Sequence, residues 1–156
     1  MVADILLMRR SLGGLSTSIS WPDGTKLAPF DLGMSDELEA LLREAYQGGG
    51  DPAAYANWYI RVSSDEEFDP TLIFVAVDEK SVQIAGVCHL WTSAFVKDLA
   101  VSPAWRRKGL GTALLECAIQ AMARRGYQHL DLKVEADNPY EAGRLYRNLG
   151  FTVVQG

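Results

Sequence analysis

"VSPAWRRKGLGTALLECAIQAM", residues Val101 to Met122, joins a basic turn to an apolar-striped helix. Its first half is a basic turn, with Arg106, Arg107 and Lys108 directly ahead of Gly109, Leu110 and Gly111. Its second half carries the helical period. Leu110, Ala113, Leu114, Cys117, Ala118, Ala121 and Met122 share one face, Glu116, Gln120 and Arg124 the other, and Gly126 is the stop. Before it, "TLIFVAVD", "QIAGVCHLW" and "AFVKDLAV" are β-branched, apolar runs separated by short turns, as in an antiparallel meander. After it, "HLDLKV" alternates as a strand does. A strand-helix-strand crossover therefore runs through the basic loop.

Working outward, Ile5 to Arg10 read as a first strand, and "ISWPDGTKL" holds a Pro-Asp-Gly turn between β-prone runs, which predicts an N-terminal hairpin around residues 15–29. Ser35 opens a helix with Asp36, Glu37 and Glu39 at the positive end of its dipole, and Leu38, Leu41, Leu42 and Ala45 as its stripe. Gly48 to Gly50 form a loop. Asp51 and Pro52 then open a second helix bearing Tyr55, Trp58 and Tyr59. Near the end, Asn138 and Pro139 cap a last helix lined by Ala142, Leu145, Tyr146 and Leu149, and Gly150 closes it before the strand "FTVV". The expected order is strand, two helices, three strands, helix, strand, helix, strand. It describes an α/β chain of the α+β type: one domain over 1–156 with a mixed, mostly antiparallel sheet flanked by helices.

Composition bounds the function. The chain has 156 residues, 48% of them apolar, and a formal charge of −5, which argues against a general nucleic-acid or anionic-membrane surface and makes the basic cluster a local feature aimed at a small anion. Cys88 and Cys117 sit among apolar residues and read as reduced, buried thiols, not as a disulfide framework or metal site. The N-terminal apolar stretch is too short for a signal peptide, so the expected location is the cytoplasm.

The crossover sets Arg107 to Thr112 at a helix N-terminus, where up to four backbone N–H groups lack intrahelical partners and attract anions. Glycine at 109 and 111 lets a phosphate approach those donors, with Arg106, Arg107 and Lys108 adding charge around it; a pyrophosphate suits this design better than a carboxylate. Two common nucleotide loops do not fit. A third glycine does not follow at the dinucleotide spacing, and the lysine precedes the glycines where a P-loop lysine would follow them.

The stretch "LAVSPAWRRKGLGTALLECA" resembles the acetyl-CoA segment of the Gcn5-related N-acetyltransferases (GNAT), whose motif runs Gln or Arg, two residues, Gly, one residue, then Gly or Ala, here Arg106 to Gly111. "NPYEAGRLYRNLGF" resembles their second signature through Asn138, Ala142, Leu145, Tyr146, Gly150 and Phe151. The resemblance covers roughly Thr71 onward. It implies an acetyl-CoA-dependent N-acetyltransferase acting directly on a primary amine of a small molecule or peptide, without a metal. Backbone groups of Leu99, Ala100 and Val101 would pair with the pantetheine arm, amides from Arg107, Lys108, Gly109, Leu110, Gly111 and Thr112 would hold the pyrophosphate, and Asn138 would lie near the pantetheine. The strands "FVKDLAV" and "HLDLKV" would splay to admit the thioester, and Tyr146 would give the leaving thiolate its proton.

Two departures from the family pattern stand out. Many relatives carry a Glu or His base on the strand before the loop, whereas alternation from Leu99 sets Phe95 and Lys97 toward the acceptor and Asp98 away. Glu135, ending the next strand, is the remaining carboxylate, acting through water; His89 and His129 read as core or edge residues. A lysine-like amine costs roughly 4–5 kcal/mol to deprotonate at pH 7 and an α-amine about 1, so a weakly equipped site suits an α-amine. The lack of an obvious base also leaves an alternative, a non-catalytic module that senses acetyl-CoA. The second departure is the end of the sheet, where relatives add a strand after the one matching "FTVV". That edge is left to the N-terminal hairpin, to a partner chain as in a homodimer, or to a longer chain.

Overall fold

The computed structural model describes residues 5–13, 18–45, 56–135 and 142–155. Seven strands form one sheet: β1 (Ile5–Ser11), β2 (Thr25–Pro29), β3 (Ile73–Asp78), β4 (Ile84–Trp91), β5 (Phe95–Val101), β6 (His129–Glu135) and β7 (Thr152–Gln155), in the spatial order β2-β3-β4-β5-β6-β1-β7. Every pairing is antiparallel except β5 with β6, the pair joined by the crossover.

Helices cover the two faces unequally. On one face α1 (Ser35–Ala45) and α2 (Trp58–Ser63) bury Leu38, Leu41, Leu42, Trp58 and Val62 against Val75, Val77, Val87 and Ala100. On the other face α3 (Leu110–Arg124) packs Leu110, Leu114, Leu115, Ala118, Ile119 and Met122 against Met8, Ala76, Cys88, Leu130 and Leu132, with Tyr146 and Leu149 of the α4 region (helix Ala142–Asn148) resting on the same core. Leu115 and Ile119 widen the buried face of α3 beyond the expected stripe. The α1 carboxylates do more than favour a dipole. Glu37 accepts the backbone N–H of Ile84, and Glu39 accepts that of Trp58 at 2.8 Å, fixing α1 to β4 and to α2.

Among the described residues the expected N-terminal hairpin is not seen. The Pro-Asp-Gly turn is present, with the Thr25 N–H donating to the Pro22 carbonyl at 3.1 Å, but residues 18–22 are not a strand. Pro22 has no N–H for a ladder, and β2 turns instead to β3, pairing Thr25 with Asp78 through Pro29 with Phe74. At the other end of the sheet β1 lies between β6 and β7, antiparallel to both, with Met8 fully buried in the α3-side core, and β7 is the outer strand. The loop expected at Gly48 to Gly50, the start of the second helix at Asp51 and Pro52, and the cap at Asn138 and Pro139 lie outside the described residues.

Candidate active site

The site begins where β5 and β6 part. They share one register pair, Phe95 with Asp131, sealed by the Asp131 N–H donating to the Ala94 carbonyl at 3.0 Å. Arg9 of β1 grips Asp131 with both arms of its guanidinium, at 2.7 and 2.9 Å, so the fulcrum is held from the far side as well. Beyond it the expected splay is present.

On the opposite edge β5 is fully paired to β4, from His89 opposite Asp98 to Gly86 opposite Val101. The Ser102 N–H donates to the Ala85 carbonyl at 2.8 Å, so alternation along an antiparallel ladder directs Ala100 to β4 and turns the N–H and C=O of Leu99 and Val101 toward the gap. Of the three residues expected to meet a pantetheine arm, Leu99 and Val101 turn their backbone N–H and C=O toward the gap, and Ala100 turns its own toward β4.

A bulge in β5 overturns the simple alternation. His89 pairs with Asp98 and Leu90 with Val96, leaving Lys97 as the extra residue. Val96 and Leu99, three positions apart, consequently both pack on the α3-side core, which a regular strand cannot do. Phe95, Lys97 and Leu99 therefore do not share a face as expected. Asp98 is only 2% exposed, with the Lys97 ammonium 3.5 Å away.

The glycine loop follows β5 through a 3-10 turn at Pro103–Trp105 and a turn over residues 106–109. Arg107 and Gly109 adopt left-handed backbone, at φ 63° and 88°. Gly109 caps α3 without a side-chain acceptor, and the first helical bond runs from the Ala113 N–H to its carbonyl at 3.1 Å. The N–H groups of Leu110, Gly111 and Thr112 thus precede the helical ladder, at the positive end of a 15-residue helix. A Cβ at Gly109 would meet nothing within 4 Å, so the loop is open above it, while Gly111 lies in ordinary contact with Leu145 and Val101. Arg107 and Lys108 are exposed, the Lys108 ammonium standing 5.0 Å from the centre of the Trp105 ring. Arg106 is engaged elsewhere: its Nε donates to the Val101 carbonyl at 3.0 Å, and its guanidinium meets Glu44 of α1 at 2.7 Å. The sequence offered no sign of Glu44.

Tyr146 lies on α4 with its ring 6.0 Å from that of Phe151. Burial, with the Cys88 thiol adding to it, holds its phenol above the ordinary value and therefore protonated at neutral pH. Glu135 ends β6 opposite Ile5, and Asn138 lies outside the described residues. Both cysteines are free and buried, and burial pushes both thiols up, away from nucleophilic character. His89 is a core residue but not a satisfied one. It is fully buried among Trp58, Phe68 and Trp91, its two ring nitrogens and the Trp58 Nε1 have no hydrogen-bond partner among the described residues, and burial followed by the Lys97 charge lowers its pKa to about 4. Among the described residues no cluster of His, Cys, Asp or Glu could hold a metal, and no helix is long and apolar enough to cross a membrane.

An open strand edge therefore runs into a glycine-capped helix N-terminus, which sets unpaired backbone groups and an anion-attracting loop in one line. The profile of the acetyltransferase (GNAT) domain matches residues 69–153, and the chain belongs to that family. Mycothiol acetyltransferase of Mycolicibacterium vanbaalenii is 34% identical over 98% of this chain and 54% of its own length. The enzyme of that name from Clavibacter michiganensis is 31% identical over 95% and 50%. A GCN5-related N-acetyltransferase from Sphaerobacter thermophilus superposes with a TM-score of 0.79 at 29% identity, over 99% of this chain and 49% of that one. The chain thus spans about half the length of these relatives.

Proposed function

We propose that the chain transfers an acetyl group from acetyl-CoA to a primary amine of a small molecule or peptide, by direct attack within a ternary complex. The observation that carries this reading is the single-pair contact of β5 and β6 beside the phosphate loop, which leaves a strand edge and an anion site in one line. In this reading the backbone of Leu99 and Val101 pairs with the pantetheine amides as an added strand would. The N–H groups from Gly109 to Thr112, with Arg107 and Lys108, hold the pyrophosphate. Asn138 contributes near the pantetheine. The buried thiols favour direct transfer over a covalent acyl-enzyme.

The amine must arrive unprotonated. Glu135, relaying through water, is the proposed route for its proton, and Asp98 is poorly suited because it is buried beside Lys97. The small cost of deprotonating an α-amine, about 1 kcal/mol at pH 7, makes that acceptor type the better match. As the thioester carbon–sulfur bond breaks, the Tyr146 hydroxyl donates its proton to the departing sulfur. The names of the relatives, mycothiol acetyltransferase and, at 36% identity over 53% of this chain, N-alpha-acetyltransferase 30 of Xenopus laevis, support an amine acceptor without choosing one.

Thiol release from acetyl-CoA across a panel of small-molecule and peptide amines tests the reading. Release with any of them upholds transfer. Tight acetyl-CoA binding with no release above hydrolysis would favour a sensing module, and no binding would overturn both.

A further inference from the structure

Arg106 occupies the first position of the loop motif, yet its side chain does not extend over the loop. It reaches past the end of β5, where its Nε donates to the Val101 carbonyl at 3.0 Å, and its terminal nitrogen meets the Glu44 carboxylate at 2.7 Å. Val101 continues into the phosphate loop and α3, which packs on one face of the sheet, whereas Glu44 lies in the last turn of α1, which packs on the other. The planar guanidinium thus spans the two layers at the strand end where the gap opens. Both its side chain and that of Glu44 are only partly exposed, 32% and 39%, and the Val101 carbonyl it occupies is one that alternation turns toward the gap.

We propose that Arg106 is a positioning strut, coupling the phosphate loop to the end of α1, so that a diphosphate-bearing ligand seated at the loop stiffens the α1 layer on the opposite face. This deepens the acetyl-CoA reading and rests on it. The strut needs a fork. A guanidinium can serve the carbonyl and the carboxylate at once through separate N–H groups in one plane, whereas a lysine ammonium is a point donor on a stem that cannot hold both in that geometry. The bridge also fixes the last residue of β5, so the edge that would meet pantetheine and the helix on the far face move together.

The test is amide hydrogen exchange of the chain with and without CoA, in the parent, Glu44→Ala and Arg106→Lys proteins. A partly exposed ion pair contributes little to folding, so both variants should fold, and their circular dichroism verifies it. In the parent, CoA should slow exchange both at residues 107–112 and in the last turn of α1, the latter by about fivefold, the lower end of ordinary coupling between sites. In both variants the loop should still be protected while the α1 response is lost. Protection of the loop without any α1 response in the parent overturns the strut alone, as does an undiminished α1 response in either variant. Absence of loop protection in the parent overturns the acetyl-CoA reading and the strut with it.

Discussion

Gly86 of β4 leaves no room for a side chain beside the helix that follows the glycine loop. A Cβ there would lie 2.9 Å from Leu114 Cδ1, 3.0 Å from the Ala100 carbonyl oxygen and 3.2 Å from Leu110 Cδ2. The two leucine methyls could yield, but the carbonyl is backbone of β5, held in the β4 ladder, and cannot. Gly86→Ala therefore strains β5 at the Ala100 carbonyl and displaces Leu110 and Leu114 of α3 by a few tenths of an ångström, an overpacking change worth roughly 1–3 kcal/mol. For a chain of this size that lowers the Tm by roughly 3–9 °C. Because Leu110 begins α3, the displacement carries the Leu110, Gly111 and Thr112 N–H groups with it. Misaligning one such donor costs about 1 kcal/mol, about fivefold in CoA affinity. Urea titration at constant m and calorimetry with CoA read the two effects. Gly111→Ala is the matched control for stability alone, since its Cβ meets only ordinary contacts at 3.5 and 3.8 Å, and alanine in a helix should gain up to about 1 kcal/mol. A Gly86→Ala protein with the parent's urea midpoint and CoA affinity would refute the close-approach reasoning.

Gly109→Ala meets no neighbour but must hold φ near 88°, so it should cost about 1–2 kcal/mol through backbone strain and weaken CoA binding as the loop relaxes, both measurable in the same two assays. Tyr146→Phe keeps the ring packing against Phe151, so acetyl-CoA affinity should persist while kcat falls about a hundredfold or more; turnover at the parent rate would make Tyr146 a packing residue. His89 titrates near 4 when folded against an ordinary 6.5, so between those values the unfolded chain takes up a proton that the folded one refuses. Stability should therefore fall as pH drops from about 6.5 to about 4 and the slope should level below that; His89→Phe should flatten this part of the profile in denaturant titrations at stepped pH.

The crossover was legible because α3 announces itself by period and the loop by its glycines, and both properties are local. Gly109 needs left-handed backbone whatever surrounds it, and Leu110, Leu114 and Ala118 need a sheet to cover them. The place of β1 was not legible. Its apolar residues declare a strand, but its position between β6 and β7 is fixed by pairings more than a hundred residues away, such as Met8 with Leu132 and with Val153. The bulge at Lys97 was hidden for a related reason: "FVKDLAV" reads as a regular strand, and only the pairing of β4 to both sides of Lys97 shows the face changing there. That one residue redistributes Phe95, Asp98 and Leu99, which is why a base could not be assigned by alternation. Glu44 and Asp131 were missed because their partners, Arg106 and Arg9, are distant in sequence and every charged residue of an exposed helix or strand face looks alike.

Three consecutive bases in an acidic chain suggested a triple charge aimed at one anion, and the geometry divides them. Arg106 is held by Glu44 and a backbone carbonyl, so its charge is largely answered within the protein. Lys108 stands over Trp105 and Arg107 is exposed in left-handed backbone, which leaves two cations beside the loop. Two exposed cations are screened by physiological salt and make a weak, adjustable attraction. The N–H groups ahead of Ala113 are different in kind, since they are fixed by the helix, cannot be screened by rotating away, and point into the space a Cβ at Gly109 would not fill. In the proposed function, recognition of a diphosphate would rest on backbone shape more than on net charge, which reconciles an anion site with a chain of formal charge −5.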